Sequence, residues 1–505
     1  MSRLHLKIMS QLFLFIGISS ACTAATQPDW GPCPDYLEAK SPLGAATIKV
    51  PLDHGTPQGK KLDILVLRAL GEAKEKKGQI WFLMGGPGDS IKDFGPVFSL
   101  WTKSHPEWDY YAMEHRGTRG SSPLSCPGMP GDSKKCADHL LSTWGKQGLS
   151  CFNPSQAAHD LAMVMNAVGK KGRRCLYGVS YGTYLTQRFA LLYPDMADAL
   201  ILDGVVPAGP NANGMMAIDL YDQNYNRIGA QIMDACDKDR VCSARVNEFA
   251  PSGRALLAKT FDRIDKKILP PGFNDLITRE KLRQVLGELT ANWWGRMVMP
   301  ALVYRINRGN ERDTAIVNLL FAPEEEDGED LSNMSLNVFI IASELIGNTS
   351  LDAARDFARA AWVSEDETVD QYEVRKTWPI YAPGPETGKW PKIKSPLLIL
   401  NGTMDPQTPV EYARLAHDRY SGNNTYLIEM PTTTHGALFL SQIKSGDINT
   451  GDTCGTRVFF DFLSNPGKRP DAICTNEIIQ PDFSGESKRA KDAGLQFFDT
   501  DLIWD

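Results

Sequence analysis

Apolar and polar positions alternate in two segments near the start of the chain, and longer apolar runs follow at wider spacing. The two alternating segments predict strands joined by a turn at residues 53–57. The continuous apolar runs predict strands buried on both faces, with helix-like segments between several of them. The predicted strands are 47–52, 62–68, 79–84, 108–113, 174–179 and 199–202, and the clearest helices are 156–168 and 181–193.

The pattern changes after Asp203 and returns to strand and helix alternation near residue 396. The intervening segment is mainly helical, with an acidic loop at 324–330. A strand at 396–400, a helix at 410–420 and a strand at 425–430 then resume the earlier alternation. The pattern predicts an α/β fold with a mostly parallel sheet. Residues 22–204 and 391–505 are expected to form the sheet domain, and residues 205–390 a helical cap inserted into it.

The first 21 residues have the form of a secretory signal peptide. Arg3 and Lys7 precede a short apolar run at 12–18, and small residues follow through Ala21. The sequence therefore predicts an exported protein, periplasmic or secreted. Cleavage after Ala21 would leave Cys22 first, so a lipid anchor at Cys22 is an alternative. No later apolar run is long enough to span a bilayer, so no transmembrane segment is expected.

Cysteine usage agrees with an oxidising compartment. Nine cysteines follow Cys22, and none of them forms a Cys-x-x-Cys pair. Cys175 lies within a buried strand and is expected to remain unpaired, which leaves eight cysteines that can form four bridges. Local pairing of Cys236 with Cys242 and of Cys454 with Cys474 is plausible from their spacing.

The composition fits a globular protein. Apolar residues make up 42% of the chain and charged residues 23%, with a formal net charge of -7. Because an acidic surface does not attract phosphate backbones, nucleic acid is not an expected partner. Oligomeric state is not indicated by the sequence.

A Gly-x-Ser-x-Gly motif runs from Gly178 to Gly182, directly after a predicted strand and directly before a predicted helix. At such a turn the glycines avoid clashes that a Cβ would cause, and the Ser180 hydroxyl is held clear of the backbone. The helix amino terminus places the amide of Tyr181 where it can stabilise an oxyanion. The motif predicts Ser180 as a nucleophile. The alternative is a tight turn with an incidental serine.

A serine nucleophile needs a base, and His435 is the best placed histidine. It follows the last predicted strand, where a loop can project the imidazole over the nucleophile. His417 falls within a helix, and His105 and His115 flank other loops.

The base needs a carboxylate that orients it. Asp405 lies in a loop between the strand at 396–400 and the following helix. The order Ser180, Asp405, His435 is the order expected of a nucleophile-elbow hydrolase. Asp203, at the end of the strand after the nucleophile's helix, is the alternative.

A glycine-rich loop, Gly85-Gly86-Pro87-Gly88, follows the strand at 79–84 and is expected to supply a second oxyanion amide. It lacks the Lys-Ser/Thr that follows in a phosphate-binding loop, so nucleotide binding is disfavoured.

Three motifs together resemble the prolyl aminopeptidase and tripeptidyl aminopeptidase family of α/β-hydrolases. They are Gly85-Gly86-Pro87-Gly88, Glu114-His115-Arg116-Gly117 and the Gly-Val-Ser180-Tyr-Gly-Thr183 stretch. The tail around Asp405 and His435 is similar to the exported tripeptidyl aminopeptidase-like branch. The resemblance implies an α/β-hydrolase sheet domain, a serine exopeptidase with a helical cap, and oxyanion amides from Gly86 and Tyr181.

The chain departs from the family's pattern at Met84, where histidine is frequent, and at Glu114, where aspartate is usual. In the cap, Ile341-Ala-Ser-Glu344 is similar to a family stretch that carries an acid. By that similarity Glu344 is a candidate anchor for a substrate's free amino group, since a partly buried carboxylate suits an ammonium ion. The alternative is a glutamate on the helix surface.

These features predict a serine hydrolase that acts on peptides with a free amino terminus and releases proline or a short N-terminal peptide such as a tripeptide. No metal and no organic cofactor are expected. A carboxylesterase or lipase that uses the same three residues is the alternative, and a noncatalytic hydrolase-fold binding protein is a third hypothesis.

Overall fold

The computed structural model describes residues 27–37, 43–129, 133–321, 332–422, 424–447 and 450–505 of the 505-residue chain. Within these ranges, eight strands form one sheet. They are β1 (Leu43–Pro51), β2 (Lys61–Leu70), β3 (Gly78–Leu83), β4 (Trp108–Met113), β5 (Arg173–Val179), β6 (Ala199–Asp203), β7 (Leu397–Gly402) and β8 (Thr425–Met430).

The spatial order of the strands is β1-β2-β4-β3-β5-β6-β7-β8. β2 runs antiparallel to both of its neighbours, β1 and β4. All the other neighbours pair in parallel. Parallel strands end at the same edge of the sheet, so the loops after the six strands β3 to β8 begin there.

Alternate side chains of the central strands enter two separate cores, one on each face of the sheet. In β3, Trp81 and Leu83 pack on one face, and Ile80 and Phe82 on the other. Because both faces are covered, these strands carry nearly continuous apolar sequence, which is the pattern from which they were predicted. The predicted strands are confirmed to within a few residues, and the fold is the α/β-hydrolase fold that the sequence indicates.

Seventeen α-helices surround and cap this sheet within the described ranges. Those beside the sheet are α1 (Phe94–Ser104), α2 (Ser133–Leu149), α3 (Pro154–Val168), α4 (Tyr181–Leu192), α14 (Val410–Tyr420), α15 (Ala437–Leu440) and α16 (Cys454–Ser464). The others are α5 (Tyr221–Cys236), α6 (Arg240–Val246), α7 (Gly253–Asp265), α8 (Arg279–Ala291), α9 (Gly295–Arg308), α10 (Glu311–Phe321), α11 (Ser332–Ile340), α12 (Leu351–Ala360), α13 (Glu367–Val374) and α17 (Lys488–Phe498).

The helical insert has two parts that pack differently. Helices α5 to α10 enclose a core of their own, which includes Ile232, Leu286 and Leu302. Side chains of α11 and of the segment after α13, among them Phe339 and Tyr381, instead join the core on one face of the sheet.

The C-terminal segment packs with the first part of the insert. Ala490, Phe498 and Trp504 contribute to the core of α5 to α10. The last helix, α17, therefore extends the cap, although it follows the sheet's final strand in sequence.

Three disulfides link Cys126 to Cys136, Cys236 to Cys242, and Cys454 to Cys474. The two local pairs predicted from spacing are confirmed, and Cys175 is free and buried as expected. The prediction of a fourth bridge is wrong within the described residues, because Cys33 and Cys151 are also free thiols.

The proposed signal peptide, Cys22 and the acidic loop at 324–330 lie outside the described residues. In the part of the chain that the structure does describe, no helix is both long enough and apolar enough to cross a bilayer.

A buried ion pair joins the loop after β4, which carries Arg116, to helix α3, which carries Asp160. Arg116 and Asp160 have no exposed side-chain surface, and two hydrogen bonds of 2.6 Å join them. Arg116 also donates to the main-chain oxygens of Pro51, Leu52 and Cys151. The guanidinium thus closes the N-terminal hairpin onto the sheet domain.

Replacing Asp160 with asparagine is expected to destabilise the protein by about 3–5 kcal/mol, because it leaves the Arg116 charge buried without its anion. The exposed pair of Lys134 and Asp138, 2.8 Å apart, provides a matched control. There, Asp138→Asn is expected to cost under about 1 kcal/mol. Urea unfolding followed by tryptophan fluorescence measures the free energy of unfolding of both variants. Equal losses of stability would show that the buried pair of Arg116 and Asp160 contributes no more than the exposed pair, which would contradict its structural role.

Candidate active site

Ser180 occupies a sharp turn between β5 and α4. Its backbone has φ 57° and ψ −128°, a conformation that non-glycine residues rarely adopt. The turn is held by a 2.9 Å hydrogen bond from the Ser180 amide to the Asp203 carbonyl, and by a 2.8 Å bond from the Thr183 amide to the Ser180 carbonyl. These two hydrogen bonds fix Ser180 at the carboxyl edge of the sheet.

The two glycines of the motif are required by close backbone packing. A Cβ on Gly178 would lie 2.3 Å from the Gly182 carbonyl oxygen, and one on Gly182 would lie 2.3 Å from the Leu83 carbonyl oxygen. Main-chain atoms cannot move aside as the end of a flexible side chain can. The motif therefore allows helix α4 to begin against β3.

Asp405 and His435 form the hydrogen-bonded pair that the sequence predicts. His435 Nδ1 lies 2.8 Å from Asp405 Oδ2, and the Asp405 side chain is fully buried. Oδ1 of Asp405 accepts from the main-chain amides of Gln407 and Thr408. These bonds fix the carboxylate, which in turn fixes the imidazole with Nδ1 toward Asp405.

The electrostatic environment of His435 favours its charged form. Burial works against the imidazolium, but the carboxylate of Asp405, helped by Asp203 and Asp89, raises the pKa of His435 above its ordinary value. An imidazole that gains a proton readily is suited to accept one from a neighbouring hydroxyl.

His435 also lies beside the end of β6. A Cβ added to Gly204 would lie 2.9 Å from Cε1 of His435. Since the amide of Ser180 is bonded to Asp203, the residue before Gly204, the serine turn and the imidazole are placed at the same point on the sheet edge.

Asp203, the alternative carboxylate, has other partners. It accepts hydrogen bonds from the amides of Ala437 and Leu438 and from the Tyr177 hydroxyl. Burial raises the pKa of Asp203 to about 6. Asp203 itself ends β6, and its carboxylate binds the first amides of α15. These bonds fix the backbone that follows His435.

The other candidate histidines lie in different surroundings. His105 stacks on Phe460, and His115 is bonded to the Tyr181 hydroxyl. His417 lies next to Asp418 on helix α14.

The glycine-rich loop lies directly against Ser180. A Cβ on Gly85 would approach Cβ of Ser180 to 2.8 Å and Oγ to 3.3 Å. Gly86 has φ +96°, in the region that favours glycine. The loop is braced by the buried Glu114, which accepts hydrogen bonds from Ser90 and Thr118.

The cap contacts both loops that carry the candidate pair. Arg296 of α9 is fully buried and donates to the main-chain oxygens of Met404 and Thr432. The Thr434 hydroxyl donates to the Ala291 carbonyl at 2.7 Å. The positions of Asp405 and His435 therefore depend on the insert as well as on the sheet.

Glu344 lies in a buried π-helical turn after α11 and is already paired within the chain. Its carboxylate is 2.8 Å from the Arg188 guanidinium and accepts hydrogen bonds from the hydroxyls of Tyr184 and Tyr381. It borders a cavity of about 640 Å³ whose other walls include Phe339. Neither Ser180 nor the Asp405–His435 pair lines that cavity.

Two contributors to the site are not evident from the sequence. The Thr408 hydroxyl donates to Asp405 at 2.8 Å and lies 3.0 Å from His435 Nδ1. The spacing Asp405-Pro-Gln-Thr408, typical of a turn that an aspartate side chain closes, is the signal that could have found it. Arg296 has no such local signal, because its partners in the two loops, Met404 and Thr432, are more than one hundred residues away.

Residues 364–471 match the family model described as TAP-like protein. The chain is 28% identical to a tripeptidyl aminopeptidase of Streptomyces lividans over 37% of this chain and 40% of that relative. It is 23% identical to a putative hydrolase of Escherichia coli over 92% of this chain and 95% of that protein.

The chain is also 25% identical to a proline iminopeptidase of Aeromonas sobria, over 46% of this chain and 51% of that enzyme. The resemblance to the prolyl and tripeptidyl aminopeptidases that the motifs indicate is confirmed. The match covers less than half the length of the Streptomyces relative.

Replacing Asp405 with asparagine is expected to lower the pKa of His435. The Asp405 carboxylate is the main group that holds this pKa above its ordinary value. Its loss leaves burial, which favours the neutral ring, opposed only by the smaller effects of Asp203 and Asp89. NMR titration of ¹³C-labelled histidine in both proteins measures the change. An unchanged His435 pKa would show that Asp405 does not set the protonation of this ring, and His417 serves as the internal reference.

Proposed function

We propose that the protein is a serine hydrolase that cleaves peptides from a free amino terminus and releases proline or a short N-terminal peptide such as a tripeptide. The observation that carries the proposal is the hydrogen bond between the buried Asp405 and His435 at the sheet edge where Ser180 occupies its strained turn. The similarity to tripeptidyl aminopeptidase and proline iminopeptidase supports a peptide substrate.

In the proposed mechanism, the Ser180 hydroxyl attacks the scissile carbonyl carbon and His435 takes the hydroxyl proton. The carbonyl oxygen becomes an oxyanion, which the amides of Gly86 and Tyr181 stabilise. The Tyr181 amide is at the start of α4, where the helix dipole favours negative charge.

The intermediate then collapses. The peptide C–N bond breaks, and His435 gives its proton to the leaving amine, which departs as the shortened peptide. A water molecule attacks the acyl-enzyme ester, with His435 as base again. The N-terminal fragment leaves and Ser180 regains its proton. Asp405 orients the ring and stabilises the imidazolium throughout.

We also propose that the protein is exported. Three disulfides within the described residues support this, because such bonds persist in oxidising compartments.

Fluorogenic prolyl and tripeptidyl amides, each with a free and an acetylated amino terminus, test the proposed reaction beside a short-chain acyl ester. We expect the protein to cleave at least one amide, to need its free amine, and to lose this activity in Ser180→Ala. Ester turnover without amide cleavage would point instead to a carboxylesterase. Cleavage that survives in Ser180→Ala would contradict the proposed nucleophile.

Replacing Thr408 with valine is expected to lower kcat about 10- to 100-fold with little change in KM, because Asp405 loses a donor that orients it. Thr408→Ser keeps the hydroxyl and is expected to retain most of the activity. Steady-state kinetics on the best substrate compares the two variants. Equal kcat values in Thr408→Val and Thr408→Ser would show that the Thr408 hydroxyl does not contribute to catalysis.

A further inference from the structure

Asp89 is a carboxylate beside the glycine-rich loop that the proposed mechanism does not use. It directly follows Gly88, and its amide donates to the Gly85 carbonyl at 3.4 Å. A Cβ added to Gly86 would lie 3.2 Å from Cγ of Asp89, so the carboxyl group folds back over Gly86. Gly85 in turn lies against Ser180. The backbone of the loop therefore places this carboxylate next to the residue whose amide is proposed to stabilise the oxyanion.

The surroundings of Asp89 are those of a side chain in the wall of an open cleft. The residue is exposed to solvent. The protein atoms around its carboxyl group nevertheless desolvate it enough to raise the pKa of Asp89 above its ordinary value. Exposure together with desolvation is typical of a concave surface, because water reaches the group from one side only. A substrate that enters from solvent can therefore reach this carboxylate.

The described part of the chain provides no partner for the Asp89 carboxylate. No hydrogen bond or ion pair joins it to another described side chain, and the charges that act on it are those of Asp93 and His435. Asp93 is itself acidic, and His435 is held by Asp405 at 2.8 Å. No lysine or arginine side chain of the described residues is paired with Asp89.

An uncompensated carboxylate in this position opposes the proposed reaction. Negative charge develops on the substrate's carbonyl oxygen beside the Gly86 amide, and the charge of Asp89 repels it. The same charge favours the protonated form of His435, but the hydrogen bond to Asp405 already supplies that support. A cationic group of the substrate cancels the repulsion and forms an ion pair with Asp89.

The two neighbours of Asp89 indicate which part of the substrate it faces. Gly86 lies beside the carbonyl oxygen, and His435 gives its proton to the leaving amine. The charge of Asp89 acts on His435, and its Cγ lies over Gly86. The first residue of the leaving peptide carries that amine, so its side chain is the substrate group that extends from this side of the scissile bond.

We propose that Asp89 is a specificity-determining residue that binds the cationic side chain of a lysine or arginine placed directly after the scissile bond. This rests on the proposed function, since it names the class of peptide that the same site takes. It applies equally to release of proline and of a tripeptide, because both reactions have a residue at that position. The protein thus favours peptides whose shortened product begins with a basic residue.

Paired peptides with lysine or norleucine directly after the scissile bond isolate the charge, because norleucine has a similar apolar chain without the ammonium. The pairs are Pro-Lys-Ala with Pro-norleucine-Ala, and Ala-Ala-Ala-Lys-Ala with its norleucine analogue. Both members compete in one reaction, and mass spectrometry of the products gives the ratio of their kcat/KM values. We expect the wild type to prefer lysine by about 5- to 10-fold in the pair that it cleaves.

Asp89→Asn should reduce this lysine preference to near one. Because both peptides use the same imidazole and the same oxyanion amides, the ratio cancels any effect of the substitution on His435 or on folding. Asp93→Asn is the matched control, since Asp93 is an exposed acid four residues further along the same segment. It should keep the lysine preference. The proposal is overturned if the wild type does not prefer lysine, or if Asp89→Asn slows both peptides equally and keeps the ratio.

Binding to the inactive Ser180→Ala protein separates this proposal from the proposed reaction. Calorimetry with the same peptide pairs should show about 5- to 10-fold tighter binding of the lysine peptide, lost when Asp89→Asn is added. Equal binding of the two peptides overturns the role of Asp89 even if the wild type is an aminopeptidase. A lysine preference in binding that needs Asp89, without any amide cleavage by the wild type, supports this role while the proposed function fails.

Discussion

The strained turn at Ser180 is the constraint on which the rest of the site depends. A non-glycine residue with φ 57° and ψ −128° costs about 1–3 kcal/mol and persists only where the surroundings hold it. Here those surroundings are the parallel pairing of β5 with β3 and β6 and the glycines at 178 and 182. The parallel pairing that holds this turn also brings the ends of six strands to one edge.

Several buried carboxylates of this protein are paired with basic side chains. Asp160, Glu344 and Asp405 each have a basic partner at hydrogen-bond distance, and each joins segments that are far apart in sequence. In the first two cases the pair is structural, since the partner is a buried arginine. Paired carboxylates therefore fix the architecture both of the fold and of the candidate site.

Local pattern was enough to predict the strands and the motif residues. The apolar runs of β3 to β8 and the strand–turn–helix context of Ser180 are features of neighbouring residues, and the strand from Trp108 to Met113 was predicted to the residue. The contact of Asp405 with His435 followed from where their loops leave the sheet. The prediction of Asp405 and His435 also used the order Ser, Asp, His that is expected of a nucleophile-elbow hydrolase.

Contacts between segments that are distant in sequence could not be predicted from the sequence pattern. Arg296 reaches loops more than one hundred residues away, and the pairing of Glu344 with Arg188 joins the insert to α4. Cys33 and Cys151 show the same limit, since the count of eight remaining cysteines suggested a fourth bridge that the described residues do not form. Such contacts depend on how the insert packs, which periodicity does not encode.

Covalent trapping of the nucleophile is the most direct test of the central claim that this geometry activates Ser180. The folded protein would be treated with a fluorophosphonate, digested, and mapped by mass spectrometry. The account predicts one adduct per chain, on the peptide that contains Ser180, formed far more slowly in His435→Ala. An adduct on a different residue, or no adduct on the folded protein, would contradict it.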